Sequence, residues 1–334
     1  MKKIYSGLFC CCVFLSTESI SQTWNGSSSN DWNDAANWTP NNVPTSTGNV
    51  IIDNASLSHY PLLPAHVSIR TLTMSAGILN LNSFTLTCSV FATCTGDSLY
   101  NGKIVSATFN DFSNMHMGGK IVLEKTGASN EFWKGNNKFY GDTLIITWRS
   151  GGLFMENATL SPDSIFGNLK LVYADNNETT YRINIGVESP IFIQKDLILD
   201  NPDKGSFGLD YANEKLIGGN IKATNFSNAV PNFPLTNVIA LGNNTNGPFY
   251  AKMGSFNNCR FNGNFSFVAD SDAVVNIHNS SFLGSDNLFQ AGNVEAYGNK
   301  FGMTGMGSTL LRAAHNLGYN VLMRTGNNKF IGNG

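Results

Sequence analysis

Apolar residues in this chain come in short runs, three to seven long, each broken by Gly, Asn, Asp or Ser. Ile69–Met74, Ile78–Leu81, Phe84–Val90, Thr143–Trp148, Leu169–Val172, Ile191–Ile193, Phe265–Val268 and Val274–Ile277 are examples. Runs of that length bounded by turn residues read as β-strands. No stretch longer than a dozen residues carries a 3.6-residue apolar period, and no capping box opens an apolar helical run. Helices are therefore not expected, and the chain reads as all-β.

A loose repeat chooses among the all-β architectures. An Asn-rich turn followed by Phe, and then by a Gly within two residues, occurs at Asn136–Gly141, Asn258–Gly263, Asn279–Gly284, Asn299–Gly302 and Asn327–Gly332. The last four Phe residues, Phe261, Phe282, Phe301 and Phe330, are separated by steps of 21, 19 and 29. Such a step is about one coil of a parallel β-helix. Each coil would turn a corner at Asn or Gly, which tolerate left-handed backbone, and insert one aromatic into a shared core. Corner Asn residues would also hydrogen-bond to the Asn above and below. The expected fold is a right-handed parallel β-helix, a β-solenoid with coils of about 20–29 residues. A β-sandwich or jelly roll is the alternative, because Asn-Gly pairs at 25–26, 101–102 and 262–263 also suit hairpins.

Composition refines this picture. The 334 residues suffice for one large domain or two ordinary ones. Only 13% are charged, while 42% are hydrophobic and 23 are Phe, so the chain has the material for a core and is not disordered. Its 21 basic and 23 acidic residues give a net charge of −2. That balance lacks the basic face of a nucleic-acid binder. The surface is expected to be polar but nearly neutral, rich in Asn, Ser and Thr.

Residues 1–21 have the form of a secretory signal peptide. Lys2 and Lys3 form the charged start, Ile4 to Leu15 the apolar stretch, and Ser19-Ile20-Ser21 the small residues before a cut. The apolar stretch is too short to span a bilayer, so no membrane span is expected in the mature chain. Cys10, Cys11 and Cys12 lack the small preceding residue of a lipoprotein site and leave with the leader. Cys88, Cys94 and Cys259 remain, and Cys88–Cys94 is a candidate disulfide in an exported protein. Cys259 reads as a buried apolar residue.

The most distinctive stretch follows the leader: Thr23-Trp24-Asn25-Gly26, Asn30-Asp31-Trp32, Asn37-Trp38, Pro44 and Val50-Ile51-Ile52-Asp53. It resembles the Trp-rich entry of exported, autotransporter-adhesin-like parallel β-helix proteins of the cell surface in Bacteroidota, many of which use type IX secretion. The likeness is good over residues 22–90 and architectural beyond. It implies a Trp-rich N-terminal cap over 22–60 and a solenoid over 61–334. Proteins of that kind finish with a membrane-targeting barrel or a sorting domain, whereas this sequence stops at Gly332-Asn333-Gly334 just after a repeat Phe. A solenoid missing its C-terminal cover is the expectation.

Candidate chemistry is sparse. Trp24, Trp32 and Trp38 offer either a sugar-stacking platform or a hydrophobic cap over the open end of the solenoid. Asp196, Asp200 and Asp203 follow one another in one region, and Asp270 and Asp272 lie two apart, on one side of any strand that carries them. Paired carboxylates suit acid/base chemistry on glycans or a Ca²⁺ site, and turn chemistry explains them as well. The five His residues, at 59, 66, 116, 278 and 315, show no metal-ligand spacing. No nucleophile elbow, P-loop or dinucleotide fingerprint occurs, so no cofactor or metal is expected. The function expected is that of a secreted or surface-held, non-enzymatic adhesin for cells, matrix or glycans. The alternative is a carbohydrate-active enzyme, a polysaccharide lyase or glycosidase, or a glycan-binding module on the same scaffold.

Overall fold

The structure is a computed structural model. It describes residues 21–333 apart from 96, 159–160, 175–181, 203–204, 228–229, 270–272, 292, 305–308, 314–322 and 327–328, with backbone only at 93–94, 97, 293 and from 301 onward. The short runs close on one another as stacked parallel strands, forming a β-solenoid of about 10 turns. Among the described residues one pairing is antiparallel, Trp24 beside Trp38 in the N-terminal loop, and the other strand pairings are parallel. The jelly-roll alternative, which needs antiparallel hairpins, does not occur. Its Asn-Gly signals turn corners instead: Asn101-Gly102 bends the strand Asp97–Phe109, and Asn262-Gly263 joins Arg260–Phe261 to Phe265–Ala269.

The first coils use long strands, Thr71–Asn80, Thr85–Thr95, Asp97–Phe109 and His116–Lys125, which run around the corners without a break. From Glu131 onward each coil divides into short strands on three stacks. One contains Lys138–Phe139, Asp163–Ile165, Ile191–Ile193 and Lys215–Ile217. A second begins with Thr143–Trp148 and Asn168–Tyr173, and a third with Glu131–Phe132 and Leu153–Phe154.

The Phe repeat is a column in this stack. Register places Met117, Phe139, Ile165, Ile193, Ile217, Ala240, Phe261, Phe282, Phe301 and Phe330 one above another, one per coil. Phe139, Phe261 and Phe282 are wholly buried, and Phe261 stacks on Phe282 at 5.4 Å between centroids and 9° between planes. Burying one such side chain stabilises by roughly 1.5–3 kcal/mol, so a column supplies a continuous core no single coil has.

Asn and Gly do different work at the corners. Asn114, Asn136, Asn237, Asn258 and Asn279, three residues before the column position, adopt φ between 50° and 59°, where Asn is favoured over other residues with a side chain. The Gly two residues after the column position answers a different need. A Cβ on Gly141 would lie 1.9 Å from the carbonyl oxygen of Gly119, and one on Gly263 would lie 2.0 Å from that of Asn244. There the next coil leaves room for a hydrogen only.

Candidate functional site

The three N-terminal indoles lie in the core. Asn37 organises their loop: its Oδ1 accepts the Ser28 and Ser29 N–H groups, each at 2.9 Å, and its Nδ2 donates to the Asp31 carbonyl. Asp34 caps the one-turn helix Ala35–Asn37 by accepting the Ala36 N–H. The chain is thereby turned so that Trp38 packs edge-on against Trp24 at 4.9 Å and Trp32 at 4.8 Å. Trp24 Nε1 donates to the His59 carbonyl and Trp38 Nε1 to the Trp32 carbonyl, both at 2.8 Å. All three are at most 1% exposed. With no ring face left to a ligand, the sugar-stacking reading fails for these residues, and they act as hydrophobic cover.

Asp196 and Asp200 do not converge. Asp196 stands at a corner, where its Oδ1 accepts the Asn220 N–H from the next coil at 2.9 Å and its Oδ2 pairs with Lys222 at 2.5 Å. Asp200 ends the strand Leu197–Asp200, accepting from Asn225 Nδ2 at 2.7 Å and pairing with Lys170 at 2.7 Å. Four residues of strand separate their backbones by roughly 13 Å, and each is committed to a neighbouring coil. Asp203, Asp270 and Asp272 lie outside the described residues.

Cys88 is a free, buried thiol 3.5 Å from Ser106 Oγ, so the Cys88–Cys94 disulfide is not formed. Both cysteines belong to the strand Thr85–Thr95. Burial pushes the Cys88 thiol up to about 11. Cys259 is buried as expected, and burial pushes it up to about 11 as well. Among the described residues no three His, Cys, Asp or Glu side chains come together as a metal site.

The interior holds a charged group that the pattern of strands did not announce. Asp163 accepts the Asn137 N–H at 2.7 Å, and Glu156 Oε2 accepts the Gly186 N–H at 2.6 Å. Burial, then the neighbouring Asp163 carboxylate, raises Glu156 well above the ordinary carboxylate range, so Glu156 carries the proton of this pair. Lys215, in register with Asp163 two coils on, donates to the carbonyls of Tyr211, Asn213 and Thr236. Burial brings it down to about 8. These groups are enclosed and tie coils together, with no opening to a substrate.

What the exterior offers is an aromatic groove. In two successive coils the residue after the column position points outward and is aromatic: Tyr140 and Phe166, which are 57% and 43% exposed. Their rings are parallel to within 9° at 5.0 Å. Below Tyr140 the same position is Gly118, since the Tyr140 N–H bonds to the Met117 carbonyl as Phe166 bonds to Phe139. The space over Gly118 is taken by the Tyr100 ring of the coil before it, which a Cβ on Gly118 would meet at 2.6 Å, and His116 stands edge-on to Tyr140 at 6.2 Å. A groove of about 720 Å³ opens here, lined also by Lys120, Asp142, Thr143 and Lys195. A second, about 380 Å³, lies beyond Phe166 and is bordered by Phe192 and Leu241, each 38% exposed. Strand periodicity alone did not reveal this stripe. Its signal was an aromatic between the column residue and Gly, in Phe139-Tyr140-Gly141 and Ile165-Phe166-Gly167.

No protein-family model, no curated protein and no solved structure matches this chain. No described helix is long and apolar enough to cross a membrane.

Proposed function

We propose that this protein is exported and held at a cell surface, where its solenoid serves as a non-catalytic adhesin that binds cells, matrix or glycans. The observation that carries this reading is the outward stack of Tyr140 and Phe166, with Phe192 also exposed on the coil after them. Large apolar side chains that a fold leaves in water on one face favour recognition of a partner. A stack of about 10 coils presents such contacts on a stiff rod, and many copies on one surface multiply weak contacts into avidity. The leader-like residues 1–21 support export. The larger groove is lined by one carboxylate, Asp142, whereas glycoside hydrolysis uses a pair. The test is retention of the purified chain on whole cells, matrix proteins and a glycan array, with product release followed on the same polysaccharides. Retention without release is expected. Release of shortened sugars, or no retention on any surface, overturns the reading.

A further inference from the structure

We propose that the groove over Tyr140 and Phe166 is a binding site for an acidic polysaccharide, a chain of uronic-acid pyranoses. The inference rests on the adhesin reading above and names the ligand class of its exposed face.

Three observations carry it. The first is shape. The Tyr140 and Phe166 rings stack in parallel and stay 57% and 43% exposed, so the groove offers flat apolar ring surface to a ligand. The C–H face of a pyranose fits such a surface and leaves its hydroxyls at the rim, where polar groups stand. The second is what lines the rim. Asp142 and Thr143 supply acceptors and a hydroxyl on one side, which suits a hydroxylated ligand better than a purely apolar one. The third is charge. Lys120 and Lys195 line the groove against the single Asp142, leaving it positive on a chain whose net charge is −2. The Lys195–Asp142 pair is loose, 3.7 Å apart with both side chains exposed. An exposed pair of that kind holds its partners weakly, so the ammonium can turn to a ligand carboxylate. A neutral glycan would use the rings and leave both lysines idle. A uronate chain uses the rings and both lysines together.

The experiment measures affinity of the purified chain for polygalacturonate, alginate and hyaluronate, with dextran and methyl-esterified galacturonan as neutral partners, at low and high salt. At least one uronate polymer is expected to bind tenfold or more tightly than either neutral polymer, and to weaken as salt rises. Phe166→Ala and Tyr140→Ala should each lower that affinity at least tenfold without changing the thermal melting profile. The double variant Lys120→Ala/Lys195→Ala should lose the preference for uronate over its methyl ester. The proposal is overturned if no uronate polymer binds, if neutral polymers bind equally well, or if the ring variants bind as the parent does. It is also overturned if sedimentation shows a dimer abolished by Tyr140→Ala, which would make this face a contact between copies of the chain. Retention on cells or matrix that survives the ring variants would sink this site and leave the adhesin reading standing. Loss of all retention by the parent chain would sink both.

Discussion

Asn258 donates from Nδ2 to Oδ1 of Asn237, one coil away, at 2.6 Å. Asn136 and Asn114 make the same bond at 2.6 Å in the earlier coils. In both pairs the backbone is left-handed and the amide bridges coils, so one residue type meets a local and a long-range requirement together.

Replacing Asn258 separates the two requirements. Asn258→Ala keeps the Cβ in left-handed backbone but loses the short polar side chain that lets Asn tolerate it, and removes a hydrogen bond whose net contribution is about 0.5–1.5 kcal/mol. Asn258→Gly removes only the bond and keeps the backbone relaxed. Urea denaturation should therefore rank the parent above Gly and Gly above Ala. Equal losses for the two variants would show that the backbone conformation contributes nothing.

Glu156 makes stability depend on pH. Its folded-state proton is held above the ordinary carboxylate range, so the folded chain binds more protons than the unfolded one once pH passes that range. Stability then falls as pH rises. Glu156→Gln keeps an acceptor for the Gly186 N–H and places an uncharged donor toward Asp163, as the protonated acid does. The variant is expected to match the parent near pH 4 and to become the more stable one as pH increases toward neutrality. The range below about 8 is the one to measure, since Lys215 titrates there in the folded chain and its own contribution rises with pH above that value. Unfolding titrations across this range would disprove the assignment if the parent gained on the variant with pH.

The buried thiols predict a labelling pattern. Cys88 and Cys259 are enclosed and held in the neutral form, both pushed to about 11, so neither should react with iodoacetamide in the native chain at neutral pH. In denaturant without reductant both should label fully. Peptide mapping that found Cys88 blocked until reductant was added would restore the disulfide.

The solenoid was legible because its requirement recurs. Every coil needs a residue that turns the corner and a side chain that fills the axis, so Asn and Phe return at Asn136 and Phe139, Asn258 and Phe261, Asn279 and Phe282. The middle of the column was hidden, because Ile165, Ile193, Ile217 and Ala240 fill the same position with other apolar groups. The site was less legible still. Tyr140 and Phe166 are 26 residues apart, while neighbouring coils advance by 22 and 28, and no fixed spacing marks them as neighbours.

Local preference, renewed coil after coil, made the strand class and the repeating residues legible in the chain, while the parallel pairing that excludes a jelly roll came from the structure. Tertiary structure alone decided which side chains share a column and which way each one faces. It turned Trp24, Trp32 and Trp38 inward, committed Asp196 and Asp200 to neighbouring coils, and left Tyr140 and Phe166 in water. The physical reason is register. In a strand one residue of slip exchanges core for solvent, and the register of each coil is set by hydrogen bonds to the coils beside it, not by its own residues.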